Sequence, residues 1–151
     1  MEAPVNPVNR RSAGLTIFAE NHVLLAKRLH TIEGRRNPLG GYWSIFTGGI
    51  CDGEDAETAA KREMYEEVSI KVLTKIFYVD TLKCDPKDTS SLLFVYCATY
   101  RNKPTVKLNH MNDEFSEYIW YPVEKLEEFP YNMKDDLKKC LCSYRDDKYK
   151  I

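Results

Sequence analysis

The stretch GGICDGEDAETAAKREMYEEVSI, residues 48–70, carries seven carboxylates in 23 positions, and Glu63, Glu66 and Glu67 fall within five residues. Ala56–Val68 is rich in helix formers and holds neither Gly nor Pro, so it predicts a helix. Asp55 can cap its start, and Glu57 suits the positive end of the helix dipole. Ala60, Met64 and Val68 recur every four residues and predict a buried stripe. Glu63, Glu66 and Glu67 stand at i, i+3 and i+4, on a stripe beside the apolar one. Like charges at these spacings cost a bare helix roughly 0.2–0.5 kcal/mol per pair. A solvated acidic face would lie opposite the apolar stripe, whereas this one borders it. Arg62 adjoins Glu63 and precedes Glu66 by four, so it can neutralise part of the cluster. Several carboxylates around one point are the usual way to hold a hard divalent cation, which would remove the repulsion.

The rest of the chain frames this helix. Ala13–Ala19 and His22–Arg28 are apolar runs about Glu20-Asn21, a strand-turn-strand pattern. Leu29–Gly41 reads as a loop, Tyr42–Phe46 as a short strand. Val72–Thr81 and Leu92–Tyr100 read as strands, with Cys84–Ser91 the turn between them. Asn112–Pro122 is a loop entering a further strand, Val123–Phe129 a short helix, and Asn132–Tyr144 a terminal amphipathic helix. The order β-β-β-α-β-β-β-α-α predicts a mixed sheet with helices packed against it. Residues 1–12 read as a flexible arm and 13–151 as one domain. A net charge of −1 gives no global field for nucleic acid or membrane. No apolar run has the length of a membrane span, so a cytoplasmic chain is expected. Five cysteines without regular spacing read as free thiols.

Gly48, five residues, Glu54, seven residues, then Arg62-Glu63-Met64-Tyr65-Glu66-Glu67-Val68-Ser69-Ile70 resembles the Nudix box. Ser69 stands where glycine is usual. That glycine lets the chain leave the helix with positive φ, so serine carries strain there or changes the exit. The resemblance implies an α/β/α sandwich around a mixed sheet, with the box forming loop, helix and loop. It implies hydrolysis of a nucleoside diphosphate linked to another group. It implies Mg²⁺, with Mn²⁺ as substitute, held by Glu63 and Glu67 with Glu66 completing the site directly or through water. A main-chain carbonyl near Thr47 or Gly48 often joins. Arg62 and Glu54 are implied as an ion pair that positions the helix. Candidates for the general base are Glu63, Glu66 and Glu114. Glu114 sits six residues before Trp120, where many members carry an extra metal-binding or catalytic glutamate; an ordinary loop charge is the competing reading. Glu117 is the next candidate and is expected to point to solvent.

Arg28 ends the second strand, where Nudix proteins often hold a phosphate; a surface arginine is the alternative. Arg35 and Arg36 could reach a phosphate or second sugar from the preceding loop. Tyr42 could stack on a base, whereas Trp43 reads as core. For substrate, Pro86 is the sixteenth residue past Ile70, which is similar to family members that split ADP-ribose. Hydrolases of diadenosine polyphosphates tend to carry tyrosine at the place of Lys87. The expectation is ADP-ribose and related dinucleotides such as FAD or diadenosine triphosphate. Substrate contacts then come from the core loops or from a second subunit in a homodimer. One alternative is a nucleoside triphosphate or RNA 5′-end or cap hydrolase, towards which Arg10, Arg11, Lys27, Arg28, Arg35 and Arg36 bias the N-terminal third. Only that alternative expects a nucleic-acid complex. The other is a non-catalytic nucleotide sensor, though sensors commonly lose box carboxylates and Glu54, Glu63, Glu66 and Glu67 are all present.

Overall fold

The computed structural model describes residues 10–29, 31–32, 35–36, 40–85, 88–109 and 114–149. Strands β1 (Arg10–Ala19) and β2 (His22–Arg28) are joined by Glu20-Asn21, both with positive φ. That is the two-residue turn whose twist matches paired strands. β3 (Thr31–Ile32) and β4 (Arg35–Arg36) form a small separate hairpin inside the stretch read as a loop. β5 (Trp43–Ser44), β6 (Phe46–Gly49) and helix α1 (Ala56–Val68) follow. Then come β7 (Phe77–Asp85), β8 (Asp88–Tyr100), β9 (Phe115–Pro122), a 3₁₀ helix (Val123–Glu128) and α2 (Asp135–Asp147).

The main sheet runs β5-β2-β1-β8-β7, with β6 also on β1 and β9 also on β2. It is mixed: β1 lies parallel to β8 and antiparallel to β2 and β6. β1 gives one edge first to β6, Ser12–Leu15 against Gly49–Phe46, and then to β2 at Phe18 and Ala19. Strand alternation divides the core into two layers. Ala13, Leu15, Ile17, Leu24 and Ala26 pack with Ala60, Met64 and Val68 of α1. Phe18, Val23 and Leu25 face the other way, against Leu126, Leu137, Leu141 and Tyr144. The result is the expected α/β/α sandwich around a mixed sheet.

Several boundaries differ from the sequence reading. β1 begins at Arg10, inside the stretch read as an arm, while residues 1–9 lie outside the described ones. Residues 72–76 are not in a strand; pairing of β7 with β8 starts at Phe77 opposite Cys97. Ile70, Val72 and Ile76 are nonetheless buried under α1, so their alternation recorded burial rather than pairing. The last helix starts three residues later than expected, and Met133 is buried just ahead of it beside Trp43.

Candidate active site

Asp55 caps α1 as expected, accepting the Thr58 N–H at 2.7 Å. The stripe assignment also holds. Ala60, Met64 and Val68 are wholly buried, and Glu63 and Glu67 are buried beside them at 7% and 3% exposure, while Glu66 is exposed. Two carboxylates therefore sit in the helix-sheet boundary with little exposure to water.

Arg62 relieves much of the repulsion. Its Nε and Nη2 donate to the two oxygens of Glu54 at 2.8 and 2.9 Å, a bidentate pair. Nη1 donates to Glu63 Oε1 at 2.8 Å and to Glu66 at 3.2 Å, and Nη2 also reaches the Gly49 carbonyl at 2.9 Å. One guanidinium thus ties the box loop, the strand end and three glutamates together. Its hydrogen bonds hold the Glu54 carboxyl down at about 2. The same contacts push Arg62 well above the usual arginine range. Glu63 goes the other way: burial raises it, and the opposing pull of Arg62 is smaller.

The first box glycine has a steric reason. A Cβ built on Gly48 would lie under 3.0 Å from the carboxyl carbon and both oxygens of Glu63. The carboxylate packs straight onto the β6 backbone. At the far end Ser69 takes the left-handed conformation, φ 60° and ψ 27°, and donates its N–H to Tyr65 O at 2.9 Å. Serine here keeps the exit that glycine usually provides.

Beside β6 lies a cleft of about 280 Å³. Arg28, Tyr42, Trp43, Thr47, Gly48, Gly49, Leu82, Leu93, Glu114 and Leu137 are among the residues that line it. Arg28 Nη2 donates to Thr47 Oγ1 at 2.7 Å, and its guanidinium lies 5.4 Å from the centre of the Phe115 ring. Burial lowers its pKa, and the charges of Glu114 and Glu67 offset part of that. The Glu114 carbonyl accepts from Leu29 N–H at 2.9 Å, which fixes the backbone beside Arg28. Burial raises the Glu114 carboxyl, and the negative charges of Glu63 and Glu66 add to it.

Arg28, Tyr42 and Glu114 therefore share the cleft. No residue of α1 is among those lining it, but Glu63 packs on Gly48 and Arg62 bonds the Gly49 carbonyl, and both glycines do line it. Trp43 is core at 6% exposure, yet it contributes to the wall. Glu117 is exposed and pairs with Lys27 at 3.8 Å. The side chains of Arg35 and Arg36, and all of Pro86 and Lys87, lie outside the described residues. Sequence reasoning missed Lys134, whose Nζ donates to the carbonyls of Lys83 and Cys84 at 3.1 and 3.0 Å and which lines the cleft. A lone lysine before the last helix carries no sequence signal of that role.

The donor set fits a hard divalent cation: carboxylate oxygens on one helix face and backbone carbonyls nearby. Among the described residues no three acidic, His or Cys side chains already converge in ligating positions. Arg62 Nη1 stands between Glu63 and Glu66, at hydrogen-bonding distance from both.

Residues 8–143 match the NUDIX domain family. The chain belongs to the Nudix family. An RNA pyrophosphohydrolase from Pelagibacter ubique is 29% identical over 97% of this chain and 94% of its own length. Among solved structures, the MutT protein of Methanosarcina mazei Go1 superposes with a TM-score of 0.75 at 18% identity, covering 97% of this chain and 99% of its own. The NUDIX domain of Shewanella oneidensis NrtR, complexed with ADP ribose, reaches 0.70 at 17% identity, covering 97% and 92%. With its box carboxylates intact, this member is a Nudix pyrophosphohydrolase acting on phosphorus-containing anhydrides.

Proposed function

We propose that this chain performs Mg²⁺-dependent hydrolysis of the pyrophosphate linkage of a nucleoside diphosphate joined to another group, with Mn²⁺ able to substitute. One observation carries this reading: the buried carboxylates of α1 and a cleft of cationic and aromatic groups meet at Gly48 and Gly49. Glu63, Glu66, Glu67 and Glu114 would hold the metal. When bound, it supplies charge neutralisation of the phosphate oxygens and lowers the pKa of attacking water. The chain's own groups do the rest. Arg28 donates its guanidinium N–H groups to phosphate oxygens, with Thr47 setting its orientation. Tyr42 offers a face for the base, and Leu82, Leu93 and Leu137 exclude water from the cleft. Glu114, whose carboxyl burial and the charge of Glu63 raise above the ordinary value, takes the proton of the attacking water. Arg62 and Glu54 keep α1 in register with β6.

Within that chemistry ADP-ribose and related dinucleotides are the substrates the sequence points to, and the ADP ribose complex of a protein of the same fold supports them. A second reading also has a specific observation behind it. A relative alignable over nearly the whole chain is an RNA pyrophosphohydrolase, which favours a 5′-triphosphate end of RNA. The deciding experiment incubates the purified protein and Mg²⁺ with ADP-ribose, FAD, diadenosine triphosphate, a deoxynucleoside triphosphate and 5′-triphosphate RNA. AMP from ADP-ribose or FAD supports the first reading; pyrophosphate or phosphate released from the RNA alone supports the second. No product from any of them, with Mg²⁺ or Mn²⁺, removes the catalytic reading and leaves a nucleotide-binding sensor.

A further inference from the structure

A helix ends with its last carbonyls unpaired, and α1 has no basic residue in its last turn to satisfy them. Those carbonyls belong to Glu66, Glu67 and Val68, two of which carry the carboxylates of the site. The segment 107–109, about forty residues further along the chain, supplies the missing donors. Asn109 N–H donates to Glu67 O at 2.8 Å, Asn109 Nδ2 to Glu66 O at 3.0 Å, and Lys107 N–H to Val68 O at 3.2 Å. Ser69 meanwhile spends its N–H on Tyr65 O. Glu114, five positions after Asn109 in the sequence, lines the cleft with Arg28, and its carbonyl accepts from Leu29 N–H at 2.9 Å. Residues 107–109 thus grip the carboxylate-bearing turn.

We infer that Asn109 is a positioning residue: its amide fixes the rotation of the last turn of α1, and so sets where the Glu66 and Glu67 carboxylates stand relative to Glu114. The inference rests on the proposed metal-dependent hydrolysis. Its alternative is plain helix capping, which would matter for stability alone. The two separate by experiment. Asn109→Ala removes the Nδ2 donor and keeps the backbone bond. Asn109→Asp is isosteric but, ionised, can only accept, so it faces the Glu66 carbonyl with no hydrogen to give. Adding Ser69→Gly relieves the left-handed position and restores helix-end stability without restoring the amide.

Mn²⁺ binding followed by electron paramagnetic resonance reads the site without substrate, and kcat, KM and Tm are taken alongside. Both Asn109 variants should weaken Mn²⁺ binding about tenfold and lower kcat with little change in KM, as loss of an orienting group behind a metal ligand does. Ser69→Gly with Asn109→Ala should regain Tm and not Mn²⁺ affinity; this pair also serves if Asn109→Ala alone folds poorly. Unchanged Mn²⁺ affinity, or affinity that returns together with Tm, would overturn the assignment while leaving the hydrolase reading intact. A wild-type protein that neither binds Mn²⁺ nor hydrolyses any substrate would overturn both.

Discussion

Replacing Gly48 by alanine adds one methyl group at the point where α1 and β6 touch. Its Cβ would lie under 3.0 Å from the Glu63 carboxyl carbon and both oxygens, whereas ordinary contact begins at 3.4 Å. The carboxylate must therefore retreat by roughly 1.5 Å, and a misplacement of even about 1 Å costs about 10²-fold in rate when the displaced group belongs to the reacting constellation. The atoms displaced are the end of a side chain, so the protein can yield by pushing Glu63 off its rotamer, at about 0.5–1.5 kcal/mol. In a chain of this length that is a Tm loss of only about 1–6 °C. The retreat also lengthens the 2.8 Å bond from Arg62 Nη1 to Glu63. The assay is kcat on whichever substrate the panel selects, with a melting curve on the same sample. Folded protein with at least tenfold lower kcat is the expected result. Wild-type kcat in Gly48→Ala would refute the placement of Glu63 at the centre of the chemistry; so would a loss of folding with no separable kinetic defect.

Other perturbations test the remaining parts. Glu66→Gln and Glu67→Gln should each lower turnover by orders of magnitude, roughly 10³-fold, while circular dichroism stays that of the wild type. Near-normal turnover would remove that residue from the site. Arg28→Ala forfeits a charge-assisted donor to phosphate, about 1.5–3 kcal/mol or roughly 10–100-fold in kcat/KM; Arg28→Lys should recover little because the fork is lost. For Glu54 the folded pKa of about 2 lies below the ordinary 4.5. Its stabilising effect is therefore complete above 4.5 and is lost as pH falls through about 2. Glu54→Gln should flatten that part of a Tm-against-pH curve, and a curve that keeps its slope would show that the Arg62 pair is not its source. EDTA should abolish turnover and added Mg²⁺ restore it.

The sequence carried the helix, its cap and its two stripes, because α1 is set by local propensity and by a 3.6-residue period that survives tertiary packing. It left two outcomes open at Ser69, strain or a changed exit, and in the fold Ser69 takes the left-handed conformation. The steric reason for Gly48 was not legible: the box marks the position, but only the approach of α1 to β6 shows that Glu63 fills the space a side chain would need. The strand expected over 72–81 was misplaced because alternating burial at Ile70, Val72 and Ile76 needs no paired neighbour. Lys134 and Asn109 stayed hidden for another reason. Each acts on backbone carbonyls distant in the chain, and single polar residues in loops carry no periodicity. Glu114 could be named from its spacing to Trp120, but that it shares a cleft with Arg28 and Thr47 emerges only in the fold.

The most direct test of the account is a crystal of the protein grown with Mn²⁺ and a non-hydrolysable nucleoside diphosphate, measured for anomalous scattering. The account predicts a Mn²⁺ peak among the carboxylates of Glu63, Glu66 and Glu67, Arg62 withdrawn from Glu63 and Glu66 but still paired with Glu54, and a phosphate on Arg28. A Mn²⁺ peak elsewhere, or nucleotide bound away from Arg28 with Arg62 still bridging Glu63 and Glu66, would contradict it.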